Sequence, residues 1–304
     1  MFKVGLTLML VGFFSWAFPG SQATAANPQS KHQEHAAEPS PYPDVDDFGL
    51  PVKRLENLLR KHDVNQARLL LARTPRHSND QNERTLWKAA CLCCQYKYDE
   101  AIEEFKKVEH VEKARGYVLY LAAMAYAQDQ NFDKAMELSD LAIKRDRCPE
   151  CYEIRATCHN AAKRYVEAAA DYEKAAAYSS HHASGFFCEA AGALLKANRP
   201  ADALALINRA PAPAKDNLDD PVLLAKGTCL ERLKHYPEAI EVLSKAIGTK
   251  PKLKAANQAS FWLISCLKER AKCYMQLGRV ADARADQTTL SKMTSSWSDD
   301  LIGK

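Results

Sequence analysis

Cysteine and histidine are the side chains here with the most chemistry to offer. Cys148-Pro149-Glu150-Cys151 sets two thiols three residues apart across a proline that can open a helix. At that spacing the sulfurs can meet in a local disulfide. Redox catalysis by such a pair calls for a βαβ setting that the surrounding pattern lacks. A zinc site would have to recruit Cys158 or His159 together with His181 and His182, and only the first cysteine pair has familiar ligand spacing. Haem attachment needs histidine after Cys151, where Tyr152 stands. The chain has no nucleophile elbow, phosphate loop, zincin helix or calcium loop. The expectation is therefore no catalytic residue, no metal and no cofactor, with Cys148 and Cys151 as a disulfide candidate.

The remaining cysteines follow a register. Cys91, Cys158, Cys229 and Cys273 each stand ten residues before an alanine: Ala101, Ala168, Ala239 and Ala283. In two further stretches Ala125 and Ala193 take the same place before Ala135 and Ala203. Cysteine alternating with alanine at one register position acts as a small apolar residue. Cys151 and Cys266 lie seven residues before two of these cysteines, about 10.5 Å along a helix and too far for a bond within it. Cys93 and Cys94 are expected to be partly exposed.

These anchor alanines define the architecture. Ala67, Ala101, Ala135, Ala168, Ala203, Ala239 and Ala283 recur at intervals of 34, 34, 33, 35, 36 and 44 residues. Twelve residues before the last six stands a small residue (Ala89, Ala123, Ala156, Ala191, Gly227, Ala271), and nine before stands Leu92, Tyr126, His159, Leu194, Leu230 or Tyr274. A second stripe runs from each anchor to the residues four and seven further on, as in Ala101, Phe105 and Val108. Both stripes have helical spacing, and turns as short as Leu277-Gly278-Arg279 force the two helices antiparallel. A 34-residue unit cannot bury its own apolar face, so neighbours must stack.

The pattern resembles the tetratricopeptide repeat family. The resemblance is clearest in Leu223-x-x-Lys226-Gly227-x-x-Leu230…Tyr236-Pro237-Glu238-Ala239…Leu243-x-x-Ala246…Pro251, and nearly as clear in Tyr152-x-x-Arg155-Ala156…Arg164-Tyr165-x-x-Ala168…Asp171-Tyr172. It covers roughly residues 50 to 294 and departs from the pattern at Thr85 and Gln287, in the terminal units. It implies an all-α solenoid, a right-handed superhelix of antiparallel helix pairs, with one partial and six full repeats over residues 48–294.

Residues 1–25 read as a secretory signal, with Lys3, an apolar run from Val4 to Phe18 and Ala23-Thr24-Ala25 before the cut; the alternative is an uncleaved anchor. Either places the repeats outside the cytoplasm, periplasmic or extracellular. Residues 26–47 have a tether's composition, and residues 295–304 form a tail whose Trp297, Leu301 and Ile302 either cap the last repeat or dock elsewhere. The net charge of +4 is too mild for nucleic acid, and the alternating charges along the helices read as a solvated face.

The family resemblance further implies that the first helices of successive repeats line a concave groove for a protein or peptide segment. Its inward positions here are Tyr120, Leu121, Met124 and Gln128; then Glu153, Ile154, Thr157 and Asn160; then Cys188, Glu189, Gly192 and Leu195; then Leu224, Thr228 and Glu231; and finally Lys268, Lys272 and Met275. The family's carboxylate clamp is not reproduced, because Leu86 with Ala90, or Tyr120 with Met124, stand where Lys and Asn would be. The resemblance thus implies a non-enzymatic exported scaffold that binds a protein segment of unknown identity. A structural or self-assembling envelope protein, using the convex face and the tail, is the alternative.

Overall fold

The computed structural model describes residues 50–74, 81–179, 182–211, 221–248 and 261–302, with the side chains of residues 261 and 294–302 outside the description. The expected leader and tether lie outside these residues. So do the connections from Pro211 to Asp220 and from Gly248 to Ser260, apart from Pro211 and Gly248 themselves.

Fourteen α-helices and no strand make up the described residues. They form seven antiparallel hairpins: α1 (Val52–Arg60) with α2 (Val64–Arg73), α3 (Gln81–Cys93) with α4 (Tyr98–Phe105), α5 (Gly116–Gln128) with α6 (Phe132–Arg145), α7 (Pro149–Ala161) with α8 (Tyr165–Tyr178), α9 (Ala183–Lys196) with α10 (Pro200–Ile207), α11 (Pro221–Arg232) with α12 (Tyr236–Gly248), and α13 (Phe261–Gln276) with α14 (Val280–Ile302). A 3-10 turn at Val111–Lys113 joins α4 to α5, and the Arg145 guanidinium donates to the carbonyls of Glu112 and Lys113 within it and of Ala114 just after it. Because α14 continues to Ile302, residues 295–302 extend the last helix instead of forming a separate tail.

Every hairpin turns in the same way. One residue, at His62, Tyr96, Gln130, Lys163, Asn198, Lys234 and Gly278, takes a positive φ between 57° and 71°. The next residue's N–H donates back five residues, as Asp63 does to Leu58 and Arg279 to Tyr274. This is the Schellman closure of a helix. That same next residue starts the second helix, its carbonyl accepting from the anchor alanine, as Lys97 accepts from Ala101. Asp63 and Asn131 also cap with their side chains, accepting from the N–H of Gln66 and Lys134. One residue thus ends one helix and opens the next, which fixes the hairpin angle.

All seven anchor alanines are fully buried. At Gly227 a Cβ would lie 2.5 Å from Leu243, so glycine is required where α11 crosses α12. The buried side chains fall into three consecutive clusters, the first running from Leu50 to Cys151, the second from Ala156 to Cys229 and the third from Leu224 to Cys273. Such segmentation is expected of a stack in which each repeat touches only its neighbours.

Candidate protein-binding groove

The groove forms from the first helices of the hairpins. Neighbouring first helices pack directly in the pairs α3 with α5, α5 with α7, α9 with α11, and α11 with α13. Between α7 and α9 the approach is looser, and α9 leans mainly on α8 instead. A cleft follows at the middle of the described solenoid.

Three elements furnish that cleft with acceptors. From α7 come Glu153, Thr157 and Asn160, from α9 comes Glu189, and the Tyr172 ring of α8 is buried beneath them. The Tyr172 hydroxyl accepts from Asn160 Nδ2 at 3.4 Å, while Thr157 turns its own hydroxyl back to the Glu153 carbonyl at 3.0 Å. The Asn160 Oδ1 is buried with no hydrogen-bond partner in the structure, as is Oε2 of Glu150 in the first turn of α7. Both are acceptors without a donor.

The carboxyls respond to these surroundings. Burial first, then repulsion from Glu153, pushes Glu189 up to about 8, with Lys196 acting in the opposite sense. Glu153 opens to the groove water, yet the concave wall surrounds it; desolvation, then repulsion from Glu150, pushes it up to about 7. Burial, then the charges of Glu153 and Glu150, holds the Tyr120 phenol above its usual range. Neighbouring carboxyls in a poorly hydrated cleft resist ionising together. A cation entering the cleft would relieve that conflict.

The amino-terminal rim already holds one cation. The Arg60 guanidinium, at the end of α1, lies 4.3 Å over the Tyr117 ring while pairing with Glu56 at 2.9 Å. It also feels the charge of Glu150. Tyr120 stands next to Tyr117, ring centroids 5.8 Å apart, with its hydroxyl 3.7 Å from Met124 Sδ. The wall from α5 to α9 is thus tyrosine and carboxylate together.

The expected inward positions do not all face this groove. Leu121 and Leu224 are buried, because close packing of adjacent first helices turns those positions into the interface between repeats. Tyr120, Met124 and Ile154 are half-buried against the first core cluster and present only part of their surface. Thr157, Asn160, Glu189 and Leu195 are half-buried, and so are Thr228 and Glu231, with the Thr228 hydroxyl returned to the Leu224 carbonyl. Gln128, Glu153, Lys268 and Lys272 are exposed, Lys272 being paired with Glu269 at 2.7 Å. Of the residues read as inward, the cleft between α7 and α9 brings together Glu153, Thr157, Asn160 and Glu189. The sequence reading missed Glu150, set between the two cysteines, and Tyr172 beneath the cleft. The offset of Tyr172 from its anchor alanine gave no sign that its hydroxyl would reach the groove side.

Cys148 and Cys151 are joined in a disulfide at the head of α7, their Cα atoms 5.4 Å apart. Cys93, expected to be partly exposed, is buried, its thiol 3.5 Å from the Leu121 carbonyl. Burial pushes Cys91 and Cys229 up to about 12 and Cys158 and Cys273 up to about 11, as befits thiols serving as packing. No cluster of three or more metal-ligating side chains, and no helix long and apolar enough to cross a membrane, occurs among the described residues.

The fold is an α-solenoid of the tetratricopeptide type. It is similar to the apo form of RapI, with a TM-score of 0.62 at 11% identity over 81% of this chain and 76% of that one. It is also similar to the C-terminal part of a TPR repeat-containing protein from Cytophaga hutchinsonii, with a TM-score of 0.56 at 14% identity over 79% of this chain and 94% of that one. No family model and no curated protein matches the sequence.

Proposed function

We propose that the chain is an exported, non-enzymatic scaffold whose concave face holds a segment of a partner protein. Tyr120, Met124 and Ile154 seat its apolar side chains, and the cleft between α7 and α9 takes a lysine or arginine. The observation that carries this reading is the chemistry of the cleft: Glu153, Glu189 and the orphaned Asn160 Oδ1 are acceptors, and among the described residues none has a cationic partner within hydrogen-bonding distance. A guanidinium or ammonium supplies several donors at once and stabilises the ionised carboxylates. The decisive experiment captures the partner by photo-crosslinking from position 124 and measures its affinity at two ionic strengths. Charge reversal at Glu153 and Glu189 should weaken capture more at low salt than at high salt. Equal binding by wild type and both variants would remove the cleft from the interface.

Self-assembly is a second reading, favoured by one observation. Met275, Leu277 and Val280 crowd the turn between α13 and α14 with 48%, 41% and 40% of their surfaces exposed. Apolar side chains gathered at one turn suit contact between copies. Light scattering that finds a monomer at high concentration would dismiss it.

A further inference from the structure

The disulfide at the head of α7 differs from every other cysteine site in the chain. Cys148 is the N-cap residue, with extended backbone angles of −85° and 150°, Pro149 opens the helix, and Cys151 stands in its first turn. Cys148 is partly exposed, whereas Cys151 is fully buried. One cysteine of the bond is therefore partly open to solvent and the other is not.

We propose that Cys148–Cys151 is a thiol–disulfide exchange site whose reaction partner is a dithiol. The incoming thiolate attacks Cys148 Sγ, a new S–S bond forms to it, and the old S–S electron pair leaves on Cys151 Sγ. The leaving thiolate sits in the first turn of α7, where the positive end of the helix dipole favours negative charge and the burial of Cys151 opposes it. The partner's second thiolate then attacks its own sulfur in the mixed disulfide and releases Cys148. The dithiol becomes a disulfide, losing two electrons and two protons, and Cys148 and Cys151 gain them as two S–H groups. The reverse sequence restores the bond.

The charged groups around the site bear on the reaction without blocking it. Glu150 lies within the four-residue ring and opposes a thiolate, whereas Arg147 stands beside Cys148 in sequence with the opposite effect. The next cysteine along α7, Cys158, is buried, and burial pushes it up to about 11, so it does not compete as a resolving thiol. The exchange site sits one turn from Glu153, at the edge of the acidic wall.

The test uses the full folded chain in graded mixtures of reduced and oxidised dithiothreitol, with acid quenching, maleimide labelling and mass spectrometric mapping. Cys148 and Cys151 should appear as thiols together and reversibly, while Cys91, Cys158, Cys229 and Cys273 stay unlabelled until denaturant is added. With oxidised glutathione, Cys151→Ser should take the adduct at Cys148 at least about tenfold faster than Cys148→Ser takes it at Cys151, since accessibility and thiolate character set the rate. Circular dichroism checks that both variants fold; if either does not, the titration of the native chain decides alone. A bond that opens only when the chain unfolds, or equal adduct rates at the two positions, would overturn the proposal.

Discussion

Arg155 holds Asp171 with two parallel hydrogen bonds, Nε to Oδ2 at 2.7 Å and Nη2 to Oδ1 at 2.6 Å, across the two helices of one hairpin. Its third nitrogen donates to Asp140, on the preceding hairpin, at 2.7 Å. Arg270 repeats the arrangement with Asp286 at 2.9 and 2.6 Å and with Ser244 at 2.9 Å, and Lys88 meets Glu104 at the same sixteen-residue separation. These charges are clamps between helices and between repeats, where alternating charge had read as a solvated face. Arg155→Met should lower stability by about 2–3 kcal/mol, since it leaves Asp171 buried without its main partner. Arg155→Ala with Asp171→Leu copies the pair Ala122 and Leu138 of the preceding repeat and should recover most of that loss. Urea midpoints of the two variants check both statements.

The repeated turn predicts opposite effects of glycine and alanine. Lys163→Gly should stabilise the chain slightly, by up to about 1 kcal/mol, because an L-residue with positive φ carries a steric cost that glycine avoids. Gly278→Ala should destabilise by about 1 kcal/mol for the same reason. Thermal melts of the two variants should shift in opposite directions.

The acidic cleft makes stability and binding depend on pH in opposite senses. Glu153 and Glu189 are raised in the folded chain, from 4.5 to about 7 and about 8, so the fold favours their protonated forms. Their contribution to stability is full below about 4.5 and is lost as pH climbs through 7 and 8. A bound cation favours the ionised forms, so affinity for a basic segment should rise over that window and binding should release protons. Calorimetry in two buffers of different ionisation enthalpy counts those protons. Glu189→Gln should reduce the number and raise the melting temperature more at pH 8 than at pH 5.

Alanine at Cys158, Cys229 or Cys273 should lower stability by no more than about 1 kcal/mol, because each sulfur fills a small space that alanine fills in neighbouring repeats. Melting temperatures of the three single variants provide the measurement.

How much of this was legible in the sequence depends on which contacts repeat. Ala67 through Ala283 were readable because one packing position must be small in every unit. Arg155 and Asp171 were not, since two opposite charges sixteen residues apart look like any solvated pair until Lys88 with Glu104 and Arg270 with Asp286 are superposed on them. Of the positions expected to face inward, Glu153 is exposed and Glu189 half-buried, whereas Leu121 and Leu224 are buried. Their orientation depends on how closely adjacent first helices approach, a quantity that no single repeat encodes. The cleft itself arises because α7 and α9 break that close packing, which is likewise a property of two units together.

The seven turn residues with positive φ are all exposed and stand one to each hairpin, so they form a row along one edge of the stack. Six of them carry side chains that reach away from the core. Labels attached in pairs at positions 62, 130, 198 and 278 would therefore act as graduations on a ruler, reporting the pitch and end-to-end length of the superhelix without intruding on the cleft. A partner that winds the coil tighter would shorten every interval together, whereas one that bends it between α7 and α9 would change only the intervals spanning that point.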